Sequence, residues 1–169
     1  MKKTLFLLSL LLFTMSIYAQ PANEAKNAFR SLINAFVKDD IPKTISYLHA
    51  KEIERQGGKE NVFIILDTTR RFFVSIRSAY KSLSIDTLTK IYPVGTQLQC
   101  IIVGTLTTKE IAPIFMNYHI RLLGLSQDQG KNWTFVNIRR KKPEETRALI
   151  PDYHEELALF EKNNGGYWE

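Results

Sequence analysis

Three histidines, His49, His119 and His154, are the side chains best suited to proton transfer near neutral pH. A general base must lie within hydrogen-bonding reach of its substrate and usually has a partner that sets its pKa. His119 is the best placed, because Asn117 and Arg121 stand two residues away on its own side of a predicted strand. That side is opposite the apolar side of the strand, so we expect His119 on the outer surface of a sheet. His49 adjoins Lys51 and Glu52 at a helix end, where we expect a histidine to be favourable against the helix dipole and to act as a cap.

Two carboxylates, Asp86 and Asp67, stand nearest to apolar segments. Asp86 falls on an outward position of its strand and Asp67 on a polar stretch of a helix, which favours solvated surfaces for both. His119 and Asp86 are therefore the candidates for an acid–base pair, with an ordinary surface role as the alternative for each. Cys100 lies within an apolar strand and is predicted to be a small core residue, since a reactive thiol needs an accessible, electropositive setting.

Three aromatic residues carry a polar tip on an apolar body and are the candidates for lining a ligand pocket: Tyr47, Tyr118 and Trp133. Such residues also simply fill cores, which is the alternative for all three. The histidines share no metal-ligand spacing, and the single cysteine adds no zinc pattern. There is no Gly-rich phosphate loop and no nucleophile elbow. The sequence therefore predicts no metal and no cofactor.

Most of these candidates lie on a long β-hairpin predicted over residues 114–140. Its first arm alternates between two sides, which is the pattern of a strand with one face in a core. One side carries Ile114, Met116, Tyr118, Ile120 and Leu122, and the other carries Phe115, Asn117, His119 and Arg121. Residues 126–132 are rich in turn formers, with Gly130 able to take a positive φ. Trp133 and Phe135 start the return strand, and Pro143 marks the end of pairing.

Apolar spacings of three and four predict three helices before the sheet, over residues 23–37, 41–48 and 59–80. Asn23 is the expected cap of the first, while Asp40 and Pro42 suit the start of the second. The run from Val62 to Leu66 is also compatible with a buried strand, but the length of the segment without Gly or Pro favours a helix.

Two further strands are predicted, over residues 82–92 and 97–106, with Pro93 ending the first and Gly95 in the turn. The second has apolar residues on both faces, which predicts a strand covered on both sides. The fold class is therefore α+β: three N-terminal helices packed on a curved four-stranded antiparallel sheet. Near the end, residues 144–149 suit a helical turn and residues 153–162 a helix.

Residues 1–19 have the composition of a secretory signal peptide: Lys2 and Lys3, an apolar run, and a cleavage site after Ala19. The apolar run is shorter than the roughly 20 residues that span a bilayer, so we expect export to the periplasm or the medium and no stable membrane insertion after cleavage. Residues 20–162 then form one domain and residues 163–169 a flexible tail. Loss of the two lysines lowers the net charge from +6 to +4, which is too mild for a nucleic-acid partner.

Several short sequence segments resemble those of the nuclear transport factor 2-like superfamily, in which helices close over a curved antiparallel sheet to form a cone. Phe36–Asp40 is similar to the short acidic turn between the first helices of such domains. Two further segments, Gly57–Glu60 and Asp128–Phe135, resemble recurrent sequence motifs of small exported bacterial members of this superfamily. The resemblance covers about residues 23 to 151. It implies the cone fold and leaves the activity open, because none of the superfamily's catalytic sets matches this sequence residue by residue.

These observations favour an exported, non-catalytic domain that binds a small apolar ligand or a protein partner in the mouth of the cone. The alternatives are an isomerase- or lyase-type enzyme using His119 or Asp86, and a purely associative subunit. Phe115, Leu123 and Leu125 fall on the side away from the apolar stripe, so a homodimer through the outer sheet face is expected if they are exposed together.

Export predicts that the mature protein begins at or near Gln20. Amino-terminal sequencing of secreted material measures this directly. Recovery of chains that retain Met1 from the membrane fraction would show that residues 1–19 are not cleaved.

Overall fold

The structure is a computed structural model, which describes residues 2–68, 74, 80–108 and 117–164. Within these ranges, helices precede and follow one antiparallel sheet. The helices are α1 (Lys2–Val37), α2 (Ile41–Ser46), α3 (Ala50–Arg55), α4 (Lys59–Thr68), α5 (Pro143–Leu149) and α6 (Glu155–Asn164). The strands are β1 (Tyr80–Leu88), β2 (Tyr92–Val94), β3 (Gln97–Thr108), β4 (Asn117–Ser126) and β5 (Thr134–Asn137). No helix within the described ranges is both long enough and apolar enough to cross a membrane.

The sheet has the order β1-β3-β4-β5, and β2 pairs with the start of β3 beyond the end of β1. The α+β class and the packing of helices on an open antiparallel sheet agree with the sequence prediction. The described sheet has five strands and not the predicted four, because the predicted strand over residues 82–92 is divided into β1 and β2. Pro93 does not end a strand as predicted. It lies inside β2, which pairs on one side only, so its missing N–H removes no bond from the interior of the sheet.

The inner face of the sheet packs against α1. The core there is built from alternate strand residues and from one stripe of the helix. Its buried members are Ala25, Phe29, Leu32, Ile33, Cys100, Ile102, Leu106, Leu122, Trp133 and Phe135. Phe29 reaches the backbone of β3 at Gly104, where a Cβ atom would lie 2.9 Å from the phenyl ring. The ring also meets Phe135 edge to face, with centroids 6.2 Å apart.

The outer face is covered by α5 and α6, which the sequence did not predict to lie there. A second core fills this layer: Ile101, Val103, Leu123, Leu125, Val136, Ile138, Ile150, Tyr153, Leu157 and Ala158. The expectation that Leu123 and Leu125 form an exposed patch is therefore wrong, because the chain's own C-terminal helices bury both. Phe115 lies outside the described residues, and dimerisation stays a prediction.

The helices of the structure differ in extent and number from the predicted ones. Helix α1 does not begin at Asn23 but runs unbroken from Lys2, since the Leu-rich run has high helix propensity, and it contains Pro21. The third predicted helix ends too late, because the chain is already in β1 at Tyr80. The separate helix α3 was not predicted, whereas Asp40 caps α2 as expected, accepting from the backbone of Lys43.

The hairpin is confirmed over the residues that the structure describes, with β5 much shorter than predicted. Its turn places Gly130 at φ +87°, where a Cβ atom would lie 2.6 Å from Pro21. Residues 114–116 of the predicted first arm lie outside the described residues. Pro143 begins α5 instead of ending the strand, which stops at Asn137.

Trp133→Ala is expected to lower the free energy of unfolding by about 3 to 5 kcal/mol, through lost transfer energy and the cavity left behind. The indole is 2% exposed, and its Nε1–H donates to the carbonyl of Gly130 at 3.0 Å. Urea denaturation measures the change, with Leu159→Ala at a half-exposed position of α6 as the control. Equal, small effects of the two substitutions would contradict the core position of Trp133.

Candidate functional site

The three aromatic residues predicted to line a pocket all pack with the inner core. Trp133 is buried there, while Tyr47 and Tyr118 are half-buried at its margin. Neither of the two clefts described below is lined by any of them. The indole of Trp133 fills space against the backbone of Gly124, where an added Cβ would lie 3.3 Å from the ring. The role of the three as ligand-binding residues stays a prediction.

His119 and Asp86 are brought together by a third residue, Thr105. The Thr105 hydroxyl donates to Asp86 Oδ2 at 2.6 Å and lies 3.0 Å from His119 Nδ1. Ser84 donates to the other carboxylate oxygen at 2.7 Å. Because a hydroxyl has one proton and the carboxylate can only accept, the contact with His119 is donated by Nδ1–H. The chain of hydrogen bonds therefore selects the imidazole tautomer protonated at Nδ1.

Strand register explains why these residues meet. Thr105 and His119 are directly opposite in the β3–β4 ladder, and a register shift between Ile85 and Thr87 re-aims Asp86. The row lies on the outer side of the sheet, as predicted for His119. Asp86 is exposed, and Thr105 and His119 are half-buried. Among the described residues, the pair thus meets on an open face, without the enclosed, water-poor setting that acid–base chemistry on a bound substrate uses.

A buried polar cluster fastens α6 to the outer face. Tyr153 donates to Glu161 Oε2 at 2.7 Å, and Glu161 is only 3% exposed. Burial raises the pKa of the Glu161 carboxyl, although the Tyr153 hydroxyl and the nearby Arg121 oppose the shift. Arg121 also donates to the carbonyl of Asn164 at 2.7 Å, at the last turn of α6. These hydrogen bonds offset part of the cost of burying the polar groups in the second core, which is a structural role. Among the described residues, Glu161 Oε1 is buried without a hydrogen-bond partner.

An apolar cleft of about 760 Å³ opens between α2, α3, α4 and the edge of β5. Its origin is visible in the five consecutive apolar residues of α4. Successive residues on a helix are 100° apart, so five in a row cannot all face one core. Val62 turns inward and is buried, whereas Phe63 and Ile64 remain 45% and 58% exposed. The lining consists of Pro42, Ile45, Ser46, Leu48, Ala50, Ile53, Lys59, Glu60, Phe63, Ile64 and Thr134.

His49 fixes the wall of this cleft that α3 forms. Its backbone N–H donates to the carbonyl of Phe135 at 2.9 Å, which docks the α2–α3 connection on β5. Its Nδ1 accepts from the backbone N–H of Lys51 at 3.2 Å and caps α3. Capping is confirmed, but the cap is at the start of a helix, where the dipole disfavours a positive imidazolium. Burial, and secondarily the charge of Lys51, hold the pKa of His49 below its ordinary value of 6.5.

A second cleft, of about 940 Å³, lies between the residues at the predicted processing site and two turns of the sheet. Gln20 and Pro21 form one side, and the turns around Gly95 and Gly130 form the other. Its walls are formed largely by turns, and polar side chains such as Asp128 and Lys131 stand there beside apolar ones such as Ile91 and Leu98. Within the described part of the chain, no group of three or more His, Cys, Asp or Glu residues is arranged to hold a metal ion.

Comparisons with known proteins give limited similarity. No family model and no curated protein matches the chain. Among solved structures, an NTF2-like protein of unknown function from Burkholderia pseudomallei K96243 has 11% identity and a TM-score of 0.33, over 75% of this chain and 97% of that one. TerC, co-crystallised with polyporic acid, has 8% identity and a TM-score of 0.28, over 76% and 98%. Scores this low establish neither a common fold nor a common function.

The contact between Thr105 and His119 predicts a coupled cost of mutation. Thr105→Val and His119→Ala are each expected to lower stability by about 0.5 to 1.5 kcal/mol, the usual net value of a hydrogen bond. The double variant should lose less than the sum, because both substitutions remove the same contact. Urea denaturation of the four proteins gives the coupling energy. Strict additivity would contradict the hydrogen bond.

Proposed function

We propose that the chain is an exported, non-catalytic binding domain whose apolar cleft between α2, α3 and α4 takes up a small apolar ligand. The observation that carries the proposal is the cleft itself, where Phe63 and Ile64 are large, apolar and half-exposed beside further apolar lining residues. This site lies beside β5 and differs from the cone mouth that the resemblance leads one to expect.

Size and chemistry both suit a small molecule. Ligand pockets commonly enclose roughly 300 to 1,000 Å³ and are mainly apolar with a few polar groups, and the cleft has about 760 Å³. Burying the exposed parts of Phe63 and Ile64 would each contribute on the order of 1 kcal/mol. Lys59, Glu60 and Thr134 supply polar groups among the lining residues, where they would orient a ligand that has a polar end.

Export is supported by the position of Pro21. Inside the long helix α1, this proline lacks the N–H that would bond to the preceding turn, which disfavours a continuous helix. Cleavage after Ala19 would leave Pro21 in the first turn of the mature helix, where its missing N–H has no cost and its fixed φ is favourable. The processed chain would then begin at the exposed Gln20.

An acid–base enzyme is the second candidate, favoured by one observation. Asp86 and His119 are joined through Thr105 at hydrogen-bonding distances. The open position of this row makes binding in the apolar cleft the better supported function.

Phe63→Asp is expected to weaken binding of an uncharged apolar fluorophore, N-phenylnaphthylamine, by about tenfold or more, because a carboxylate in the cleft loses hydration without gaining a partner. Fluorescence titration at neutral pH measures the dissociation constant. Leu159→Asp is the matched control, since Leu159 is 50% exposed on α6 and does not line the cleft. Equal affinities of Phe63→Asp and the wild type, or no binding by the wild type, would contradict the proposal.

A further inference from the structure

His49 lies between two residues that line the apolar cleft. Leu48 and Ala50 both contribute to its wall, and Ile53 of α3 follows one turn later. The same short segment attaches α3 to the sheet. The backbone N–H of Phe135 donates to the carbonyl of Tyr47 at 2.8 Å, and the carbonyl of Phe135 accepts from the backbone N–H of His49 at 2.9 Å. Any change in the cap at His49 therefore acts directly on the wall of the cleft.

We propose that His49 is a pH-sensitive cap: protonation of its imidazole releases the start of α3 and lowers the affinity of the cleft for apolar ligands. The inference rests on the proposed function and adds its regulation. It predicts uptake of ligand near neutral pH and release in an acidic environment.

The physical reason is that the cap needs an unshared electron pair on Nδ1. An imidazolium has no acceptor nitrogen, so the bond from the Lys51 amide is lost on protonation. The new positive charge also lies at the positive end of α3 and close to the Lys51 side chain. A helix of six residues is unstable alone. Loss of the cap and the added positive charge are therefore expected to destabilise the whole of α3.

The charges around the imidazole set the direction of the effect. Lys51 acts on it from α3, and β5 has no titratable side chain between Thr134 and Asn137. The cleft itself adds Lys59 and Glu60 from α4. Because the pKa of His49 is lowered in the folded state, the released form binds protons more tightly than the capped form. The capped form is favoured above the ordinary pKa of 6.5, and its advantage is lost as the pH falls through the lower, folded-state pKa.

The hydrogen bonds of Glu52 on α3 remain in place at the pH at which His49 is protonated. Glu52 is 1% exposed and accepts from Arg55 Nη2 at 2.6 Å and from Gln56 at 2.7 Å. Its pKa is lowered below 4.5: burial would raise it, but the hydrogen bonds from Arg55 and Gln56 and the nearby Lys141 and Arg55 charges outweigh burial. Glu52 therefore stays ionised around the ordinary pKa of 6.5, where the released imidazole of His49 takes up its proton.

The chain offers a matched control in His154. Its Nδ1 accepts from the backbone N–H of Glu156 at 3.2 Å and caps α6 in the same way. However, its ring stacks on Tyr92, its backbone N–H donates to the buried Gln99, and it does not line the cleft. Asparagine is a good helix cap that does not titrate, so His49→Asn retains the cap of α3 and removes its protonation. His154→Asn makes the same substitution at a helix start that does not line the cleft.

The test is titration of the wild type, His49→Asn and His154→Asn with N-phenylnaphthylamine at about pH 7.5 and about pH 5. The wild type and His154→Asn should bind about fivefold more weakly in acid, the factor that corresponds to loss of a typical helix cap. The His49→Asn variant should bind the fluorophore with the same affinity at the two pH values. Amide hydrogen exchange of residues 51–55 should rise in acid, relative to the intrinsic rate, in the wild type and not in His49→Asn.

The outcomes separate the two proposals. Affinity that is independent of pH in the wild type, or an equal fall in His49→Asn, overturns the pH-sensitive cap and leaves ligand binding intact. No binding of the fluorophore at either pH overturns the proposed function. In that case the exchange measurement still decides whether protonation of His49 releases α3.

Discussion

The architecture depends on the contact between the Phe29 ring of α1 and the bare backbone of β3 at Gly104. No side chain can occupy that position, since an added Cβ would lie 2.7 Å from the carbonyl oxygen of Ser84 and 2.9 Å from the ring. The missing side chain lets a helix come close to the sheet, and Phe29 then reaches Phe135 on the far strand. Interiors are packed so tightly that a single methyl group at this position would displace the helix or the strand. The inner core and the orientation of α1 over the sheet both follow from this one approach.

The sheet has a helical layer on each face, and the two layers differ in how much of the sheet they cover. On the inner side, apolar side chains of α1 complete the core. On the outer side, α5 and α6 cover the apolar end of β3 and β4 and enclose a polar cluster around Glu161. Beyond that cover, the outer face becomes polar and carries the row of Asp86, Thr105 and His119. The apolar cleft belongs to neither layer. It arises where short helices turn around the edge of β5, and where α4 has more apolar surface than its neighbours bury.

Local patterns predicted the elements better than their assembly. The turn at Gly130, the two-sided apolar strand β3 and the cap of α2 could be inferred because each depends on residues close in sequence. The link between Thr105 and His119 could not, because it depends on the register of two strands. The burial of Leu123 by α5 and α6 could not be inferred from local patterns either. Two signals of a second layer were nevertheless present: the apolar residues on the outer sides of β3 and β4, and the helical pattern at Leu157. The cleft was missed for a related reason: whether Phe63 is buried or exposed is decided by how much partner surface surrounds α4.

The burial of Cys100 has a consequence for the redox chemistry of the chain. Its thiol lies beneath α1 in the inner core, and burial raises its pKa to about 12, so almost no thiolate exists at neutral pH. Disulfide exchange and alkylation both require the thiolate and access to it. While the chain is folded, an oxidising compartment therefore cannot join two copies through this residue. Once the inner core opens, the same thiol becomes reactive, so covalent cross-linking would trap unfolded chains selectively and its rate would follow the opening of the core.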